Sequence, residues 1–280
     1  GTVVEDTVVV SNTAVQANNF ALVGDGQVGS LAMPIVTKIN GVALNKPEDA
    51  GNNIYLSNPG SGNLTFKDAT VLGSFATDNA GDTYTFSSND VAGNIFLTAG
   101  TGPTPTTGNI TQDTTGEIDA LGLTATNSKG GILLNTGPTN LIQSFGVLSA
   151  ITGTSQIAYI GGTDLTLNGA ITAASSININ NNAFAITQNT TALQNPTVTS
   201  NTGSISFTSG TFGLAANITA SNGTITFNNS GDLTVSYLGG YSFPGTVPLV
   251  KAQVLDLLGT GNVADNTLAN GSDRLQTDIG

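Results

Sequence analysis

The groups best able to do chemistry in this 280-residue chain are its carboxylates, because His and Cys are both absent. Without His the commonest general base and the commonest zinc and iron ligand are missing, and without Cys there is neither a disulfide nor a thiolate metal site. Close carboxylate pairs remain: Asp78 with Asp82, Glu117 with Asp119, and Glu48 with Asp49. Glu117 and Asp119 stand two apart and could share one face of a strand, as the paired carboxyls of β-helical polysaccharide lyases and hydrolases do. Asp78, Asp82 and Asp90 fall within 13 residues and offer the oxygen ligands that suit calcium. All these acids sit among turn residues, where Asp is favoured for bonding its own backbone. Neither a Gly-Gly-x-Gly-x-Asp repeat nor an EF-hand loop accompanies them. The expectation is therefore solvated turn acids, with no catalytic residue, no metal, no cofactor and no enzymatic activity.

Charge narrows the partners further. Six basic residues against eighteen acidic ones leave a net charge of −12, and Lys38, Lys46, Lys67, Lys129, Lys251 and Arg274 are scattered singly. Nucleic-acid affinity depends on clustered Lys and Arg, so nucleic acid is not an expected partner. The acidity reads as colloidal solubility. No run approaches the roughly 18 apolar residues that span a bilayer, and Gly1–Asp6 lacks the basic and apolar regions of a secretory leader. A carbohydrate-active surface would need clustered aromatics, and Tyr55, Tyr84, Tyr159, Tyr237 and Tyr241 are dispersed along the chain. Asn-x-Ser/Thr triplets occur at Asn63, Asn109, Asn189, Asn217, Asn222, Asn228 and Asn270, as expected of a chain so rich in Asn and Thr.

The elements that must carry these residues are announced by repetition. Val198-Thr199-Ser200-Asn201-Thr202-Gly203-Ser204-Ile205-Ser206-Phe207 returns, 20 residues on, as Ile218-Thr219-Ala220-Ser221-Asn222-Gly223-Thr224-Ile225-Thr226-Phe227. Looser copies begin at Leu56, Leu123 and Ile171, and Ile110-Thr111-Gln112 recurs as Ile186-Thr187-Gln188. The offset of 76 for that tripeptide nearly equals the 75 between the Leu123 and Val198 copies. Each phrase reads as a strand, a Gly/Asn/Ser corner accepting positive φ, and a second strand with alternate residues buried. Such a unit has no core of its own, so rungs must stack at ~4.8 Å to pair their backbones and bury a continuous apolar column. The predicted class is all-β, a β-solenoid.

Three sections follow from where the phrase appears. Residues 1–50 do not carry it and form a start or capping module, with strand-like runs at Thr7–Val10, Phe20–Val23 and Ile35–Ile39. Residues 51–238 form the repeating shaft, in which Thr83–Phe86 and Asn94–Thr98 alternate as strands around a turn at Ser87–Asp90. Thr101–Gly108, with two prolines, reads as a protruding loop. Residues 239–280 form a C-terminal cap and polar tail, in which Leu249–Leu258 fits a short helix or a last strand.

Ile110–Gln112, Leu123–Ala125, Gly131–Leu134, Phe145–Ala150 and Asp164–Ala173 resemble, in that order, the repeats of filamentous-haemagglutinin-type exoproteins. The resemblance covers residues 108–238 best and 51–100 weakly. It implies a right-handed parallel β-helix exported to the bacterial surface as an adhesin shaft. An Asn-Pro-Asn-Leu-like secretion signature is absent, Asn58-Pro59-Gly60 being a turn, and the chain is far shorter than that family's fibres. The expectation is an extracellular, cell-surface structural protein that associates end to end through its terminal strands and could meet a host-surface or glycan ligand.

Overall fold

The chain was analysed as a computed structural model. The structure describes residues 15–23, 26–46, 53–59, 62–67, 89–101, 108–189, 196–235, 248–264 and 275–280. Among them are strands and turns and no helix, and hence no helix long and apolar enough to cross a membrane. The expected strands Thr7–Val10 and Thr83–Phe86 lie outside these residues. The chain divides into two compact units, Gly1–Ile142 and Gln143–Gly280.

Both units are parallel β-helices. In the second unit the paired phrase stacks on itself without slippage: Ile205 registers with Ile225, Ser206 with Thr226 and Phe207 with Phe227, while Val198 registers with Ile218. The 20-residue offset is therefore one turn of the coil. Three ladders run side by side in this unit. One joins Ile177–Asn180 to Ile205–Ser209, Ile225–Asn229 and Leu255–Gly259; another joins Leu165–Leu167 to Ile186–Gln188, Phe212–Leu214 and Leu233–Val235. The third joins Ile171–Ala173 to Val198–Ser200, Ile218–Thr219 and then Val250–Lys251. Where a turn of the coil is longer than the basic repeat, the additional residues fall between strands, as between Gln188 and Val198, and the register of the ladders is unchanged.

The alternation written in the sequence is the alternation of burial. Val198–Ser200 and Ile205–Ser209 bury every second residue and half-expose the rest. Phe207, Phe212 and Phe227, all at most 1% exposed, meet in the centre with ring centroids 4.7 to 5.5 Å apart. A coil this narrow has room for one side chain per inward position, so each Ile or Phe rests on its counterpart in the next turn.

The first unit obeys the same rule from an earlier point than the repeat suggests. Asn19–Val23 pairs with Gly41–Asn45 in parallel, and Ile35–Val36 with Leu56–Ser57, so strands before residue 50 already belong to the ladders. Asn89 and Asp90, expected in a turn, open the long strand Asn89–Ala99, which pairs with Ile118–Asn127 across a bulge. At the other end of the chain Leu249–Gly259 is a strand, not a helix. Its alternation was ambiguous because Val250, Val254 and Leu258, spaced by four, satisfy both periods, and pairing with Ile218–Asn229 decides it.

The corner glycines of the phrase have a different reason from the one expected. Positive φ occurs at Gly26, Gly29, Gly62, Gly100, Gly153 and Gly259, and at Asn182, but not at Gly203 or Gly223. A Cβ on Gly223 would run into the carbonyl of Gly203, and one on Gly203 into that of Ser175. These positions are glycine because successive turns of backbone touch there. Replacing Gly223 by Ala is expected to cost about 1–3 kcal/mol as the coils are pushed apart. The exposed neighbour substitution Ser221→Ala serves as the control. Chemical denaturation of the two variants measures the difference, and equal midpoints would refute the close-approach explanation.

Candidate functional site

Burying a narrow coil leaves its corners with backbone groups that water cannot reach, and buried amide side chains answer that need. Asn127 donates to the carbonyls of Gly108 and Gly131 and accepts from the N–H groups of Lys129 and Gly130. Gln112 donates to Pro138 O at 3.0 Å and Asn140 Oδ1 at 2.9 Å. Gln188 donates to Pro196 O at 2.8 Å while its Oε1 accepts from Ala215 and Ala216. Both copies of Ile-Thr-Gln thus bury a Gln that donates to a proline carbonyl, Gln112 to Pro138 and Gln188 to Pro196.

Half-exposed and exposed polar residues are spent similarly. Asn63 Oδ1 accepts from the Asn109 N–H, and Asn109 Oδ1 from the Gly131 N–H. Asn217 Oδ1 accepts from Leu249, and Asn189 donates to Asn168. Four of the Asn-x-Ser/Thr triplets therefore have their Asn side chains engaged with a neighbouring turn of the coil. Asn270 lies outside the described residues.

Of the acidic candidates, Asp78, Asp82, Glu48 and Asp49 lie outside the described residues. Glu117, Asp119 and Asp90 are brought together. Asp90 registers directly with Asp119 on the neighbouring parallel strand, so their Cα atoms sit about one strand spacing, ~4.8 Å, apart. Glu117 precedes Asp119 by two residues on the same half-exposed face, with Ile118 buried between them. Buried amides fix the backbone beneath: Asn89 donates to Glu117 O from both N and Nδ2, and Asn140 Oδ1 accepts from Ile118 N. Asp113, nearby in sequence, behaves as the turn acid that composition suggests, its Oδ1 accepting from Thr115 N, Thr115 Oγ1 and Gly116 N.

This grouping perturbs the acids. Partial burial, and secondarily Asp119, raises the Glu117 carboxyl above its ordinary 4.5; partial burial, and secondarily Asp90, raises Asp119 above 3.8. Among the described residues no three His, Cys, Asp or Glu form a group able to hold a metal ion.

Aromatic side chains are less dispersed than the spacing of the tyrosines suggests. Tyr55 stacks on Phe96, ring centroids 4.5 Å apart and planes 4° from parallel, on the outer face of Ile54–Asn58 and its neighbour. Asn53 donates to the Tyr55 hydroxyl at 3.4 Å and accepts from Asn94. Sequence reasoning counted only tyrosines and passed over Phe96; the alternation Asn94-Ile95-Phe96-Leu97 was the signal that could have placed it outward. Tyr159 is instead a core residue, 2% exposed and edge-on to Phe145. Tyr84, Tyr237 and Tyr241 lie outside the described residues.

Comparison with protein-family models, with curated proteins and with solved structures found no match. The class that the fold defines is the parallel β-helix, and no family name attaches to it through those comparisons.

The raised acids give a pH prediction. A carboxyl whose folded pKa is raised contributes stability that is fully present below its unfolded value and is lost as pH rises through the folded one. Glu117→Gln with Asp119→Asn should therefore stabilise the protein at pH 7 relative to the parent. That advantage should fade as pH falls towards about 3, below the ordinary values of both carboxyls, where each is protonated folded or unfolded. Thermal unfolding of parent and double variant between pH 3 and 8 measures it; a difference independent of pH would contradict the assignment.

Proposed function

We propose that this is a secreted structural or adhesive protein of the filamentous-haemagglutinin kind, working at the cell surface by associating end to end into a filament or layer. The observation that supports this reading is where the polar side chains go. Inward amides hold corners, outward Asn side chains bond the next turn, and the remaining Ser, Thr and Asn line largely polar rows such as Asn178, Ser206 and Thr226. A chain whose repeated chemistry is spent on stacking its own turns is built for extension and durability. Its acidity keeps separate molecules apart until ionic strength screens the repulsion.

A second reading is favoured by one specific grouping, the stacked Tyr55 and Phe96 in the unit that also carries Asp90, Glu117 and Asp119. Aromatic faces and paired carboxyls are what a carbohydrate-active β-helix uses, whether lyase, hydrolase or glycan binder. The structural reading expects no product release from a panel of acidic and neutral polysaccharides. Turnover that disappears in Glu117→Gln or Asp119→Asn would establish the second reading in its place. For the first, electron microscopy of the purified protein across ionic strengths is expected to find fibres or sheets; uniformly separate particles in every condition would count against it.

A further inference from the structure

We propose that the edge formed by Val254–Gly259 and Val263–Ala264 is a docking face for a second copy of this chain, which adds its N-terminal strands there in parallel, head to tail. This rests on the self-association reading above and names the surface and polarity it would use.

The case begins with residues that occupy inward positions and yet are exposed. Leu257 registers with Phe227 and Val263 with Leu233. Phe227 and Leu233 are 1% and 3% exposed, whereas Leu257 and Val263 are 46% and 48% exposed. The register makes them core residues, and no described residue stacks upon them. A shallow cavity of about 50 Å³ lies here, its walls including Phe227, Leu233, Leu257 and Val263. Beside it Leu258, 55% exposed, stands where the preceding turns carry Asn228 and Thr208. An apolar side chain has replaced a polar one at the same register position.

The backbone makes the same point. Leu249–Ala252 is paired on both sides, with Ile218–Ala220 and with Gln276–Ile279. From Val254 to Gly259 the described pairing is on one side only, with Thr224–Asn229. A strip of N–H and C=O groups with an apolar row beneath is a template for one more parallel strand.

What covers such a strip is visible on every inner turn of this unit: another turn of the same repeat, in parallel, with Ile, Leu, Val or Phe at alternate positions. Docking a second copy continues that interface. The complementary edge belongs to the same chain, since in the first unit Val15–Gln16 and Asn19–Val23 pair, among the described residues, only with the later strands Ile35–Lys38 and Gly41–Asn45. In each unit earlier strands pair with later ones in a fixed direction, so an early edge fits a late edge and not another early one. The contact is heterologous, joining unlike edges, which is the kind of contact that builds rings or open filaments. The only ion pair described in the region, Lys251 with Asp278 at 2.6 Å, is satisfied within the chain. Screening by salt therefore strengthens the association.

Two experiments on the full chain test this. In the cysteine-free background, Ala17→Cys and Thr260→Cys place single thiols at exposed positions of the early and late edges. With a short bismaleimide at high ionic strength, the mixture of the two is expected to cross-link at least tenfold more than either alone. Separately, Leu257→Asp with Val263→Asp should reduce assembly by sedimentation velocity at least tenfold, while Val147→Asp, at a 45% exposed apolar residue elsewhere, should not. If the parent assembles but the double variant assembles equally, or Thr260→Cys links chiefly to itself, this inference fails and self-association stands. If the parent stays monomeric at every ionic strength, both fail, and this face is covered by something other than a second copy.

Discussion

The structure depends on one constraint: each turn of the chain must lie in parallel register on the turn before it. A coil with so little cross-section cannot bury its strands by folding a second layer over them. Its apolar side chains meet across a narrow core, as Phe207 meets Phe212, and stack along the axis, Ile205 on Ile225 and Phe207 on Phe227, while its backbone finds hydrogen bonds along the axis. The other features follow. Inward positions must be apolar and of matching size, corners must admit close backbone approach at Gly203 and Gly223, and buried corner groups need an amide such as Asn127 or Gln188.

That constraint also explains why so many chemically capable residues are occupied. In a compact enzyme, loops project from a scaffold and side chains converge on a pocket. Here the polar residues are spread along every turn, and their neighbours are largely the residues at the same register above and below. Clustering of function can arise only by register, as where Asp90 comes to lie beside Asp119, or Tyr55 beside Phe96. The raised carboxyls of Glu117 and Asp119 are the local consequence of such stacking at partial burial.

Much of this was legible in the sequence, for a physical reason. The 20-residue echo of Val198–Phe207 in Ile218–Phe227 is the coil itself, and strict alternation of Ile and Thr is the inside and outside of one strand. Less legible were contacts across turns lengthened between strands. Asp90 and Asp119, like Tyr55 and Phe96, belong to neighbouring turns separated by more than one basic repeat, so no fixed offset connects them. The tripeptide Ile-Thr-Gln recurs with a like use, a buried Gln donating to a proline carbonyl that the sequence could not locate, 26 residues on in one copy and 8 in the other. Positive φ was the right reason at Gly62 but not at Gly203 and Gly223, since sequence cannot distinguish a need for positive φ from a lack of room.

The central claim is that consecutive turns lie in parallel register on all three sides of the coil. Because the chain has no cysteine, nitroxide labels can be placed in pairs at Ser206 with Thr226, Thr199 with Thr219, and Gly213 with Thr234, which are register partners on the three ladders. Continuous-wave electron paramagnetic resonance should find strong dipolar broadening in all three doubly labelled proteins, because partners on adjacent strands are roughly 5 Å apart at Cα. Broadening in only one pair, or narrow lines in all, would contradict the β-helix on which the account rests.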